Sequence, residues 1–349
     1  MVLVLVMAAA LWGVGALMGS PTRLRWQMIA VLVLAVVLAQ LVLPDGNPIR
    51  TATGGSAAPW LLLLGAGALV ALYRAGLVWL KARAAAPEEA TAKPAGTFTE
   101  TELGRYARHI VLREVGGLGQ KKLKEARVLV VGAGGLGSPA LMYLAAAGVG
   151  TIGVIDDDEV DGSNLQRQVI HTDGAIGMPK VHSAAERMRA LNPWADIRPY
   201  QRRMDAETAA DLVADYDLVL DGTDNFDTRY LVNAACVAAG KPLISGALSQ
   251  WEGQVSVFDP AHDAPCYQCV FPEAPAPGLA PSCAEAGVIG PLPGVVGSMM
   301  AVEAVKVITG AGVALRGEML IYDALYGESR KIGLKRRGDC PTCGTARQE

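Results

Sequence analysis

The sequence predicts an α/β protein in which about three transmembrane helices precede a doubly wound, mostly parallel sheet with an antiparallel extension. Three observations carry this. Nearly uncharged apolar runs dominate the first 80 residues, short β-branched runs alternate with helical patterns after residue 98, and a glycine-rich turn joins the first such run to the first such helix. The 349 residues hold 31 Lys and Arg against 34 Asp and Glu, a net charge of −3, so the basic surplus that marks a nucleic-acid-binding chain is absent. Charged residues make up only 19% while the hydrophobic set reaches 51%. That balance is unlike an ordinary globular domain.

The apolar excess lies at the N-terminus. Met1–Met18 carries no charge, Trp26–Pro44 has only Gln27 and Gln40 as strongly polar side chains, and Pro59–Leu80 is interrupted only by Arg74. A span takes roughly 20 apolar residues, which sets spans at about 2–19, 26–44 and 59–80 within a membrane region 1–80. The first run also fits a secretory signal and the runs also fit a buried helical hairpin; against the signal, a basic leading segment is missing and two more apolar runs follow. Arg23 and Arg25 flank one end of the spans together with Lys81 and Arg83, while the opposite loop holds Arg50 against Asp45. Positive charge stays inside, so the N-terminus is expected outside and everything after Leu80 in the cytoplasm, as a multi-pass protein of the inner (cytoplasmic) membrane. Residues 81–97, rich in Ala, Pro and charge, read as a linker, and 98–349 has the size of one α/β domain.

In that domain Arg127–Val131 is a β-branched run ending in Gly132-Ala-Gly-Gly-Leu-Gly137, a helical pattern covers Ser138–Ala147, and a second strand covers Thr151–Ile155. This is a βαβ unit of Rossmann type. Asp217–Leu220 and Pro242–Ile244 read as further buried strands with a helix around Tyr230–Ala239 between them. Gln254–Phe258 and Met319–Tyr322 read as the antiparallel extension, separated by a helix over Val295–Ile308.

Gly132, Gly134, Gly135 and Gly137 allow a tight turn whose backbone approaches a phosphate at a helix N-terminus. Asp156, at the end of the next strand, is placed to accept from both ribose hydroxyls. A dinucleotide and ATP both fit this turn. The residues after Asp156 favour a triphosphate: Asn164, Arg167 and Gln168 crowd one short segment, Lys180 comes soon after, and forked or point-charge cations suit phosphate oxygens. Leu220-Asp-Gly-Thr-Asp-Asn225 ends a strand with two carboxylates, of which Asp224, beside Asn225, suits Mg²⁺. Cys266, Cys269, Cys340 and Cys343 form two CxxC pairs, a spacing that suits four thiolates around a structural Zn²⁺; two disulfides are the competing reading, disfavoured in a cytosolic domain.

Taken together, the glycine turn, Asn164-Leu-Gln-Arg-Gln168, Lys180, Thr223-Asp-Asn225, the CxxC pairs and Glu285-Ala-Gly-Val288 resemble the MoeB/ThiF (HesA) family, relatives of ubiquitin-activating enzymes. The resemblance spans about Leu103–Gly344. Arg105-Tyr-Ala-Arg-His109, Ser245-Gly-Ala247 and Tyr322-Asp-Ala324 are similar to the molybdopterin-synthase adenylyltransferases within it. It implies ATP-dependent adenylation of the C-terminal Gly-Gly carboxylate of a ubiquitin-like sulfur-carrier protein, the molybdopterin synthase small subunit, with release of pyrophosphate. Arg167, Lys180 and Asp224 would serve the reaction, and Arg108 would reach the partner subunit's triphosphate in a homodimer. The thiamine-pathway carrier is an alternative substrate, and a non-catalytic nucleotide-binding membrane receptor is the reading from another class. Sulfur is expected from a separate donor protein. Cys283, after the Pro-rich stretch Pro272–Pro281, is an auxiliary thiol expected to be dispensable for adenylation, whereas Cys236 reads as a buried hydrophobe.

Overall fold

A computed structural model describes residues 2–84, 97–276 and 286–344. The chain divides into two compact units, Met1–Lys93 and Pro94–Glu349.

The first unit is helical: α1 (Val2–Leu17), α2 (Thr22–Val42), α3 (Pro48–Ala52) and α4 (Ala58–Ala84). At 1.5 Å per residue α1 is about 24 Å long, α2 about 32 Å and α4 about 40 Å. Thus α2 and α4 match or exceed a hydrocarbon core of about 30 Å and α1 falls short of it. Few apolar side chains are covered: Val4, Val36, Val37 and Trp60 are buried, while Leu62, Leu72, Val31 and many like them point outward. The loop between α2 and α4 is fastened by polar bonds. Gln40 Nε2 donates to the Arg50 carbonyl at 2.9 Å and to Thr53 Oγ1 at 2.7 Å, and Trp60 Nε1 donates to the Thr53 carbonyl at 3.1 Å. Helix α4 runs on through Lys81 to Ala84, because Ala, Lys and Arg favour helix and the first breaker is Pro87; residues 85–96 lie outside the described residues.

The second unit opens with α5 (Glu100–Ile110) and α6 (Gly116–Glu125). Thr99 and Glu102 form a reciprocal capping box at the start of α5. Tyr106 on α5 receives a hydrogen bond from Asn192 Nδ2 at 2.8 Å, and Arg105 stacks over the ring of Trp194 with its guanidinium carbon 5.0 Å from the ring centre. The sheet follows, with β1 (Arg127–Val131), α7 (Gly137–Ala147), β2 (Thr151–Asp156), α8 (Lys180–Leu191), β3 (Asp196–Gln201), α9 (Ala206–Ala214), β4 (Leu218–Asp221), α10 (Phe226–Ala238), β5 (Leu243–Leu248), β6 (Glu252–Phe258), α11 (Tyr267–Val270), α12 (Pro291–Thr309), β7 (Glu318–Asp323) and β8 (Glu328–Gly333). Its order is β3-β2-β1-β4-β5-β6-β7-β8. The first five strands run parallel and the last three add antiparallel, as expected. Side chains of β1 alternate between two cores: Val128 and Val130 pack with α7, α8 and α12, Leu129 and Val131 with α9 and α10. Both faces are therefore covered, which is why this strand reads as an unbroken apolar run.

Candidate active site

Strand order reverses between β1 and β4, since β2 and β3 lie to one side of β1 and β5 to the other side of β4. Ligands of open α/β sheets bind beyond the carboxyl ends of such strands. A cleft of about 900 Å³ opens there. Its floor is the glycine turn. Gly132 has φ +92°, and a Cβ at Gly137 would run into the Gly132 carbonyl oxygen, so larger residues at either position would open the turn.

Most of the expected residues converge on this cleft. Gly132, Gly134, Gly135, Asp156, Arg167, Gln168, Lys180, Asp224 and Asn225 line it. Asp156 accepts from the backbone N–H of Ala133 at 2.7 Å and of Asp158 at 2.9 Å, and burial pushes its carboxyl above the usual range. Gln168 is buried, and its Oε1 has no hydrogen-bond partner among the described residues, an acceptor left for a ligand beside the turn. Lys180, the first residue of α8, is also buried; its ammonium donates to Asp158 Oδ2 at 2.7 Å. Asp224 is exposed on the lip, available to a cation.

Other residues fall elsewhere or do additional work. Asn164 sits in a short 3₁₀ turn where its Nδ2 meets Ser163 Oγ at 3.4 Å, and it does not line the cleft. Asn225 caps α10, its Oδ1 accepting from Thr228 N at 2.9 Å, so only its amide nitrogen faces other duties. Arg108 is exposed on α5 and is not part of the cleft wall. Of the two carboxylates ending β4, Asp221 is fully buried and accepts from Thr223 N and Oγ1 at 3.0 and 2.7 Å. Cys283 and Glu285 lie outside the described residues.

Three further residues escape sequence reasoning. His171 stands behind the turn, its Nε2 donating to the Ala133 carbonyl at 2.9 Å while Nδ1 accepts from Ser183 Oγ at 2.9 Å; burial lowers its pKa. Buried Arg229 donates to Thr223 O, to Gly246 O at 2.8 Å and to Ser245 Oγ at 3.0 Å, with Asp221 at 3.8 Å. It fixes the β4 loop that carries Asp224 to the middle of β5. Asp158 belongs to a run of three aspartates, and that local acidity is its only signal.

The four cysteines meet behind α11, outside the lining of the cleft, to which Tyr267 and Val270 of that helix contribute. All are buried, with Sγ atoms 3.8 Å apart for Cys266 and Cys269, 3.5 Å for Cys266 and Cys340, and 3.4 Å for Cys269 and Cys343. Disulfide sulfurs would be about 2.0 Å apart. Four thiolates about 2.3 Å from a zinc ion form a tetrahedron with edges of about 3.8 Å, close to these values.

Comparison with known proteins settles the family. The ThiF family model matches residues 106–342, from α5 to the last CxxC pair.

The chain belongs to the ThiF family.

Among relatives of this ThiF chain, the sulfur carrier protein adenylyltransferase of Thermus thermophilus is 52% identical over 251 residues, covering 71% of this chain and 93% of that protein. The SAMP-activating enzyme E1 of Haloferax volcanii is 50% identical over 244 residues, 70% of this chain and 90% of that one. The mouse adenylyltransferase and sulfurtransferase MOCS3 is 47% identical over 253 residues, but the match spans only 55% of its length. The crystal structure of E. coli MccB with ATP superposes with a TM-score of 0.60 at 22% identity, over 70% of this chain and 75% of that one; it shares the fold.

Proposed function

We propose that this ThiF-family adenylyltransferase activates a ubiquitin-like sulfur-carrier protein. The carrier's C-terminal Gly-Gly carboxylate attacks the α-phosphorus of ATP, an acyl-adenylate forms and pyrophosphate leaves. The observation that carries the reading is the convergence of the glycine turn, Arg167, Gln168, Lys180 and Asp224 on one cleft at the strand-order reversal. Asp156 receives the ribose hydroxyls, the turn and the cationic side chains receive the phosphates, and the orphan Gln168 Oε1 gains a partner. No general base is needed, since the nucleophile is already an anion; positioning and charge neutralisation carry the rate. Asp224 would hold Mg²⁺, which adds charge neutralisation at the phosphates. The four thiolates would hold a structural Zn²⁺, a closed site with no position for substrate.

We take the carrier to be the molybdopterin synthase small subunit, on the strength of the segments at Arg105–His109, Ser245–Ala247 and Tyr322–Ala324, with sulfur arriving from a separate donor protein. ATP–pyrophosphate exchange in the presence of each candidate carrier tests this. Exchange is expected with that subunit and lost in Asp224→Ala by at least about 3 kcal/mol of transition-state stabilisation. Exchange supported only by the thiamine-pathway carrier would overturn the choice of substrate, and wild-type exchange in Asp224→Ala would overturn the site.

The first unit is proposed to cross the inner membrane three times, with the ThiF unit cytoplasmic. Outward leucines on α2 and α4 support this, as do Trp12 and Trp26, which meet edge to face at 5.0 Å with Arg25 over Trp12, an arrangement suited to a membrane interface. The shorter α1 is accommodated by local thinning of the bilayer. The full-length protein is expected to sediment with membranes and resist salt extraction; release by salt would overturn the topology.

A further inference from the structure

Lys180 is a buried cation lining a cleft that three consecutive aspartates also line. One carboxylate oxygen from each of Asp156, Asp157 and Asp158 lies within 4.8 Å of the other two. Only Asp158 holds the ammonium, at 2.7 Å, although its side chain is 66% exposed and that of Lys180 only 6%. Burial makes the Asp156 carboxylate harder to keep ionised, and the charge of Lys180 already eases that burden from where it stands. An ammonium released from Asp158 therefore gains most by moving to Asp156, because electrostatic pairing is strongest away from water. Asp157 is exposed, so pairing there is weakened by solvent.

The backbone explains why Asp158 holds on. Lys180 N donates to the Asp158 carbonyl at 2.9 Å, Val160 N to Met178 O and Gly177 N to Val160 O, both at 2.9 Å, and Glu159 bridges Pro179. These bonds close the neck of an excursion, residues 161–176, that carries Arg167 and Gln168. The Asp158 side chain fastens the same neck on its cleft side.

We propose that Asp158 is a positioning residue that partitions the site: it holds the Lys180 ammonium where phosphates arrive and keeps it off Asp156, leaving that carboxylate free for ribose hydroxyls. This rests on the nucleotide reading above, and it predicts a particular defect. In Asp158→Asn the ammonium shifts to Asp156, so ribose recognition fails together with phosphate binding.

Equilibrium binding of ATP and of 2′,3′-dideoxyATP to the full-length protein tests it. Hydrogen bonds from hydroxyls to a carboxylate correspond to roughly tenfold discrimination or more in the wild type. Asp158→Asn is expected to reduce that ratio to about twofold, and Asp158→Glu to restore it. Asp158→Asn combined with Lys180→Met should bind ATP weakly but regain the discrimination, because no ammonium remains to occupy Asp156. That recovery separates partition from a general loosening of the neck, which the double variant shares. Full discrimination in Asp158→Asn, or none in the double variant, would overturn the proposal while leaving the ATP site standing. A wild type that binds no ATP would overturn both.

Discussion

His171 makes no contact with the open cleft, yet it holds the Ala133 carbonyl and so the shape of the turn on which phosphates are proposed to rest. Its neutral ring is the form the fold accepts, since Nδ1 receives the Ser183 hydroxyl proton and burial lowers the pKa. The unfolded ring takes up a proton near its ordinary value of 6.5. Stability from this group is therefore complete above that pH and falls as the pH drops from 6.5 through the lowered folded value, by at most about 1.4 kcal/mol per pH unit. Thermal melts of the ThiF unit between pH 7.5 and 5.5 check this: the melting temperature should decline on acidification, and His171→Gln should flatten the decline. A slope unchanged by that substitution would rule out the assignment. Asp156, Arg167, Lys180 and Asp224 are legible in the sequence because each sits within a few residues of a turn or strand end. His171 and Arg229 are not, because their partners lie 38 and 17 residues away and only the folded chain brings them together.

The strands legible in the sequence, β1, β2, β4, β5, β6 and β7, have apolar runs because sheet neighbours or helices cover them. The two that escape it, β3 and β8, are the edges. Pro199 interrupts β3 and every residue of β8 is exposed, and edge strands carry such Pro and charge to discourage further pairing. The same economy of local signal makes the CxxC pairs visible, each pair being a single turn. Their joint effect belongs to the elements they connect: Cys266 precedes α11 and Cys269 lies within it, and Cys340 and Cys343 follow β8, so the cluster ties the tail back to the body. Cys340→Ser should lower zinc from one equivalent per chain and cost on the order of 4 kcal/mol in stability, read by metal analysis and by melting. Full zinc occupancy in that variant would refute the ligand set.

At the scale of the whole molecule, the cleft wall lacks Arg108, and we propose a homodimer as the arrangement in which that exposed side chain would reach the triphosphate of the partner subunit. Arg108→Ala and Asp224→Ala, each inactive alone, should complement when mixed. Random exchange makes half the dimers hybrid with one intact site each, so recovery approaches about a quarter of the wild-type rate. No recovery despite demonstrated subunit exchange would count against a shared site. One helix of the second unit bears on how such a chain is made. Helix α12 is 19 residues long and, though less apolar than α2 or α4, is long and apolar enough to cross a bilayer, yet it lies half-buried beneath the sheet. On the proposed topology, the machinery that inserts the earlier helices meets it next and must let it pass. Glu303 would count against insertion, since a charge near the middle of a span costs roughly 2.5 to 3.5 kcal/mol, whereas Lys306 lies in the last turn and would add little. In the folded unit neither is wasted: Glu303 accepts from Leu315 N at 2.9 Å and pairs with Lys306. On that topology Glu303, which stitches α12 to the chain leading into β7, would thus also act as a sorting signal, and replacing it with leucine would put the catalytic unit at risk of being threaded into the membrane during its own synthesis.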